Sequence, residues 1–251
     1  MKYLKHTAIF VVLLLWQGAC SLKILPHGIV PSPVDVCLGI SELITVGLPP
    51  GHSLGGHLAA SLHRVALGFV AAAAIGIPMG LLMGWSKAVH DALRPIVEVM
   101  RPIPPLAWIP MAIMWFGIGL KSSTFIIFLG AFFPIVLNTT AGVTLVSPVF
   151  VEASLTLGLS RWDILTKVLA PGALPSVFTG VRVGLGIAWM TLVAAEFTGV
   201  KTGHGLGYMI MTARDIQRPD LILAGTATIG LVGFGIDSII LVLRRKVLRW
   251  L

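Results

Sequence analysis

Three ionisable residues, Arg64, Arg182 and Glu196, stand inside long apolar runs of this 251-residue chain. An ionised side chain in such a run is costly unless it meets a partner, water or a ligand, so each is a functional candidate. Arg182, Gly186, Trp189, Val193 and Glu196 follow +4, +7, +11 and +14 spacing. That periodicity places them on one stripe of a helix. At the usual rise per residue Arg182 and Glu196 are about 21 Å apart, too far to pair on one helix. The available chemistry is therefore charge recognition: a guanidinium for an anion, and Glu196 for Arg64, which lies at similar depth in another apolar run. The alternative is structural, with Arg182 snorkelling to an interface and Arg64–Glu196 acting as a packing pair.

Other chemistries find little support. Lys121 in Gly119-Leu-Lys-Ser and Lys201 in Gly199-Val-Lys-Thr each lack the glycine immediately before lysine. Without that phosphate-cradling loop the chain is not expected to bind ATP. Cys20 and Cys37 are too few and too far apart for a disulfide framework or metal site. His57, His63 and His204 are not at metal-ligand spacing and read as surface or interfacial residues. No cluster of His, Asp or Cys marks an enzyme centre. No acidic residue is read in mid-span and no convincing repeat is seen, which weighs against a stand-alone ion-coupled carrier.

The elements that position these residues are membrane helices. The chain is 56% hydrophobic and 11% charged, against about 25% charged in a globular protein. About six apolar spans are long enough to cross a bilayer: near Thr7 to Leu22, Leu58 to Leu82, Ile103 to Ile118, Ser123 to Val146, Leu174 to Thr198 and Leu221 to Leu243. Pro110 falls within the third, where neighbouring helices or a cavity would satisfy the freed carbonyl. Gly84 to Val99 reads as a loop. Lys2, Lys5 and the apolar run to Trp16 resemble a secretory or lipoprotein signal, but Gln17 fits a cleavage site before Cys20 poorly. A retained first helix is the better reading. Ser32 as N-cap and Pro33 as first helical residue start a short amphipathic helix over Pro33 to Val46 on the outer surface. The chain thus divides into 1–56, holding the first helix and this outer segment, and a five-helix core over 57–251.

The net charge of +8 forms no basic face, so nucleic acid is not indicated. Its positives sit between the spans. Eleven would lie on one side: Lys2, Lys5, Lys87, Arg94, Arg101, Arg161, Lys167, Arg244, Arg245, Lys246 and Arg249. Five would lie on the other: Lys23, Lys121, Lys201, Arg214 and Arg218. The positive-inside rule then puts both termini, and the loop around 147–172, in the cytoplasm.

That loop is the most distinctive polar segment. Leu155, Leu159, Trp162, Leu165 and Val168 or Leu169 recur at helical spacing beside Arg161, Asp163 and Lys167. The pattern describes a helix on a surface, with Gly158 marking a turn between two short helices. Glu152 at a helix N-terminus would suit the macrodipole. Small residues at Ala153, Ser154 and Gly158 would let another surface approach. The periodicity by itself also fits an ordinary amphipathic loop.

Glu152-Ala153-Ser154-Leu-Thr-Leu-Gly158, with Pro171 thirteen residues after the glycine, resembles the signature E-A-A-x-x-x-G-x9-I-x-L-P of permease subunits of ATP-binding-cassette importers. Ser154, Val168 and Ala170 depart from it mildly. Arg101-Pro-Ile-Pro-Pro-Leu-Ala-Trp-Ile-Pro110, Trp115-Phe-Gly-Ile-Gly119, Pro171-Gly-Ala-Leu-Pro175, Thr179-Gly-Val-Arg182, Thr191-Leu-Val-Ala-Ala-Glu196, Pro31-Ser-Pro33 and Ser61-Leu-His-Arg64 resemble the nitrate/sulfonate/taurine branch. Together they span about residues 30 to 245.

The resemblance implies an all-α type I importer permease fold in the bacterial inner plasma membrane. It makes Glu152, Ala153, Ser154, Gly158 and Pro171 the coupling element for a separate ATPase. The implied partners are a second permease copy, two ATP-binding subunits and an external substrate-binding protein. ATP and Mg²⁺ would sit on the ATPase, with no cofactor or metal on this chain. Arg64, Arg182, Trp189 and Glu196 would border a pathway at a two-fold permease interface. Substrates of the branch are small anions such as nitrate, bicarbonate, taurine and alkanesulfonates, and some relatives carry vitamin precursors. Gly180 and Gly184, extended by Gly186, read as a close-packing face.

Overall fold

Amide pairing within one helix is the solution open to a single apolar chain segment in lipid, and the described residues contain helices and no strands. The computed structural model describes residues 2–22, 24, 29–199 and 204–248, with side chains from residue 10 and excluding those of 198 and 199. Lys23, Pro26, His27, Gly28, Lys201 and Arg249 lie outside the described residues, as do the side chains of Lys2 and Lys5. The helices are α1 (Lys2–Ser21), α2 (Pro33–Thr45), α3 (Leu54–Trp85), α4 (Lys87–Met100), α5 (Ile109–Phe116), α6 (Leu120–Thr144), α7 (Pro148–Thr156), α8 (Arg161–Ile164), α9 (Ala170–Gly199), α10 (Leu206–Asp215) and α11 (Pro219–Val247).

Among the described residues four helical stretches are long and apolar enough to cross a membrane: Leu54–Trp85, Leu120–Thr144, Arg161–Phe197 and Pro219–Val247. Phe10–Ser21 is a shorter apolar helix. The third expected span is not one helix. Pro102, Pro104 and Pro105 each remove an amide donor and crowd the preceding turn. A 3-10 turn over Pro105–Trp108 leads into α5. The expected loop at Gly84 to Val99 is instead α4, started by Ser86, whose hydroxyl accepts from the Val89 amide. α4 and the Pro105–Phe116 limb meet at 83° and together are long and apolar enough for one broken span.

The chain clusters into two compact units, 1–61 with 202–232, and 62–201 with 233–251. In the first, α2 begins as expected. Ser32 accepts from the Asp35 amide, Asp35 accepts from the Ser32 amide, and Pro33 opens the helix. Arg218 holds Asp220 and Glu42 at 2.7 Å each. Those two carboxylates keep its guanidinium above its ordinary range. Cys20 is buried with its thiol toward the Val30 carbonyl, and Cys37 is exposed.

The second unit is held by glycine seams. Gly68, Gly76, Gly80 and Gly84 lie at four-residue spacing on α3 and meet α6, with the buried Ala72 in the same register. A Cβ on Gly80 would lie 2.8 Å from the Val136 carbonyl oxygen of α6. On α9, Gly180 and Gly184 pack against α6 beside the Pro134 and Ala131 carbonyls. Gly186 does not extend that face: nothing lies within 4 Å of its missing Cβ. Its position two residues on turns it to the far side of the helix.

Candidate functional site

The segment around Glu152 is a helix, a turn and a second helix. Pro148 opens α7. Gly158 has φ +77 and ends it. That left-handed conformation is cheap for glycine and costly for residues with a Cβ. Ser160 restarts the chain, its Oγ accepting from the Asp163 amide at 3.1 Å. Lys167 braces the same carboxylate at 2.5 Å. The second helix is not a separate surface helix. α8 runs through a π turn at Leu165–Leu169 straight into α9. The Ala170 amide reaches back five residues to the Leu165 carbonyl. Pro171, next in the chain, has no amide and would crowd the carbonyl four residues back, so the widened turn accommodates it.

Two details correct the sequence reading. Glu152 stands fifth in α7, in mid-helix and away from its N-terminus. Ser154 is buried, with its hydroxyl donating to the Phe150 carbonyl at 2.6 Å. The exposed positions are Glu152, Ala153 and Gly158, flanked by Val149, Phe150, Leu155, Leu157 and Trp162. Charge and apolar surface therefore point outward together. On the inner side, Ile164, Leu165 and Leu169 are buried against Val143, Ala173 and Val177. A cavity of about 610 Å³ opens beside α7, lined among others by Trp85, Lys87, Glu152 and Arg161.

The charges inside the spans form two pairs. Arg64 Nη1 donates to Glu196 Oε1 at 2.5 Å, with side chains 6% and 0% exposed. Arg182 is bidentate to Asp237 on α11, Nε to Oδ1 at 2.6 Å and Nη2 to Oδ2 at 2.8 Å. Their side chains are 44% and 40% exposed. Asp237, in the interior of α11, corrects the expectation of no acidic residue in mid-span. It stands in the run Phe234-Gly-Ile-Asp237-Ser-Ile-Ile240, and the test that singled out Arg182 would have found it. The expected stripe is thus divided: Trp189 and Glu196 are buried, while Arg182 and Gly186 are exposed.

In the first unit the histidines are closer than their spacing indicates. His52 and His204 approach to 3.0 Å between Nδ1 and Nε2. The His57 and His204 ring centroids are 5.8 Å apart. His63 is exposed on the other side of α3. A helix start leaves amides without intrahelical partners. Here the Gly205 amide donates to His57 Nδ1 at 3.0 Å and the Leu206 amide to Ser61 Oγ at 2.9 Å. Among the described residues no group of three His, Cys, Asp or Glu is placed to hold a metal ion.

Comparison with known proteins agrees with this architecture. Residues 76–249 match the family described as binding-protein-dependent transport system inner membrane component. The taurine transport system permease protein TauC of Escherichia coli is 40% identical over 96% of this chain and 86% of its own length. The nitrate import permease protein NrtB of Synechocystis is 43% identical over 75% and 69%. A solved inward-facing structure of the MetNI methionine ABC transporter superposes with a TM-score of 0.67 at 20% identity, covering 77% of this chain and 97% of the other. That likeness shows the fold, all-α and of the type I importer kind. The relatives are transport permeases rather than enzymes. With its apolar spans, its Glu152-to-Pro171 element and these matches, the chain belongs to the binding-protein-dependent inner-membrane permeases of ABC transporters, in the nitrate, sulfonate and taurine branch.

Proposed function

We propose that this chain pairs with a second permease copy to form the pathway of an ATP-driven importer for a small anion of the nitrate, bicarbonate, taurine or alkanesulfonate class. Two ATPase subunits bind the Glu152 loops, carry ATP and Mg²⁺, and hydrolyse ATP. An external binding protein delivers substrate. Both termini face the cytoplasm of a bacterial inner membrane, in keeping with the positive charge flanking the spans. ATPase closure draws the two loops together and turns the pathway outward; hydrolysis resets it inward. The mechanism is alternating access, with no covalent chemistry in this chain.

The observation that carries this reading is the outward side of α7 and its glycine turn. Glu152, Phe150, Leu155, Leu157 and Trp162 are exposed there, while the following turn is packed against the end of α6 and continues into α9. A push on α7 is therefore delivered to the helix bearing Arg182 and Glu196. The Arg64–Glu196 pair braces that helix, and Arg182 and Trp189 border the pathway. Glu152→Lys reverses the charge at the contact. Gly158→Trp forces a bulky side chain onto a backbone with φ +77. Each substitution is expected to weaken ATPase association by about tenfold or more, the loss of an interface hot spot. Co-purification of the tagged permease with its ATPase reads this directly. Full transport by the lone chain in liposomes would instead establish an ion-coupled carrier and sink the proposal.

A further inference from the structure

The Arg182–Asp237 pair differs from the Arg64–Glu196 pair in one decisive respect: it is open. Both pairs join apolar helices. The charges Arg182 and Glu196 are about 21 Å apart along α9, less than the roughly 30 Å hydrocarbon thickness of a bilayer. Arg182 and Asp237 are 44% and 40% exposed. An ion pair so exposed would be costly against lipid, so it faces water or protein. Beside it lies a cavity of about 160 Å³ lined by Arg182, Gly186, Trp189, Gly233, Ile236 and Asp237. Gly186 leaves one wall open, with nothing within 4 Å of its missing Cβ. At Gly233 an added Cβ would lie 3.0 Å from Trp189 Nε1, so the indole edge packs on Gly233 beside the cavity. The space holds about five water molecules, which suits a ligand of only a few heavy atoms.

We propose that Asp237 is a built-in stand-in for the transported anion, occupying the Arg182 fork until an oxyanion displaces it. The proposal rests on the anion-importer reading above. The two parallel contacts of Asp237, at 2.6 and 2.8 Å, use the side-on guanidinium geometry that a nitrate or sulfonate can also satisfy with two oxygens. An unopposed arginine would hold its anion too firmly, and transport requires release as well as entry. Exchange with Asp237 lowers the net affinity and leaves a free carboxylate that repels the bound anion. Asp237 thus sets the affinity of the Arg182 fork for the bound oxyanion.

The test uses the permease–ATPase complex in lipid nanodiscs without binding protein, titrated calorimetrically with nitrate and methanesulfonate. Asp237→Asn removes the competitor and keeps the shape. It is expected to tighten both anions by about tenfold or more, the worth of hydrogen bonds to a charged group. Binding that becomes measurable only in D237N counts the same way. Arg182→Gln with Asp237→Asn removes both charges, strands neither, and should bind neither anion while eluting as intact complex. Unchanged or absent anion binding in D237N, or binding that survives in the double variant, overturns the proposal. A separate uptake measurement tells the two claims apart. If Arg182→Gln abolishes uptake while D237N binds as wild type does, only the stand-in role falls. If Arg182→Gln transports nitrate and methanesulfonate at the wild-type rate, Arg182 leaves the pathway and the stand-in falls with it.

Discussion

Glu196→Leu destabilises the folded permease by about 3–5 kcal/mol, because it leaves the Arg64 guanidinium charged and buried without its carboxylate. The pair is sealed: its side chains are 6% and 0% exposed. No solvent is at hand to replace the missing charge, and an arginine cannot shed its proton to escape. Arg64→Met should cost less, because a buried glutamate that loses its cation can take up a proton. The double variant Arg64→Met, Glu196→Leu is expected to recover most of the loss, since a buried ion pair and an apolar pair of similar volume are often near equal in energy. Thermal unfolding of the four purified proteins in one detergent closes this cycle. Two single variants each as stable as wild type would show that the pair contributes nothing to the fold.

Gly80→Val carries the second large effect, on the contact between α3 and α6. A Cβ there would lie 2.6 Å from Thr139 Cβ and 2.8 Å from the Val136 carbonyl oxygen. Neither can rotate away, because one is a β-carbon on a rigid helix and the other is backbone. The helices must part, and the Thr140 hydroxyl then loses its hold on the Gly80 carbonyl, now 3.2 Å away. Overpacking of this kind costs about 1–3 kcal/mol, and the upper end is expected where backbone meets backbone. Gly230→Ala is the contrast. Its Cβ meets nothing within 4 Å, and alanine in a helix interior gains roughly 0.5–1 kcal/mol over glycine. A lowered unfolding temperature for the first variant and an unchanged or raised one for the second is the expected pattern. Equal behaviour would mean that close approach is not what holds α3 to α6.

Much of the fold was legible because lipid imposes a simple code. A span must be long and apolar, and Leu54–Trp85, Leu120–Thr144 and Pro219–Val247 satisfy that test on composition alone. Ser32 and Pro33 announced the start of α2 for an equally local reason, since a cap bonds within four residues. α4 was not legible because its amphipathic pattern lacks the length of a span, and the third span is broken where Pro104 and Pro105 precede the 3-10 turn. At the Glu152 segment the turn at Gly158 was readable from the glycine itself. The inward side of Ser154 was not, because α7 takes its facing from the way the following turn packs on Val143 and Ala173.

By itself the sequence determined that this is a multi-span helical membrane protein with its most distinctive polar segment at Glu152 to Pro171, and that Arg64, Arg182 and Glu196 are out of place in apolar runs. Those conclusions rest on periodicity, hydropathy and local spacing, which are properties of neighbours along the chain. Which charges meet is not such a property. Arg64 and Glu196 are 132 residues apart, and Arg182 and Asp237 are 55 apart. Tertiary structure alone sealed the first pair and left the second open beside a small cavity. The reason is steric. Glycines on α3 and α9 let backbones close tightly on α6, while Gly186 turns to the open side and leaves room next to Arg182.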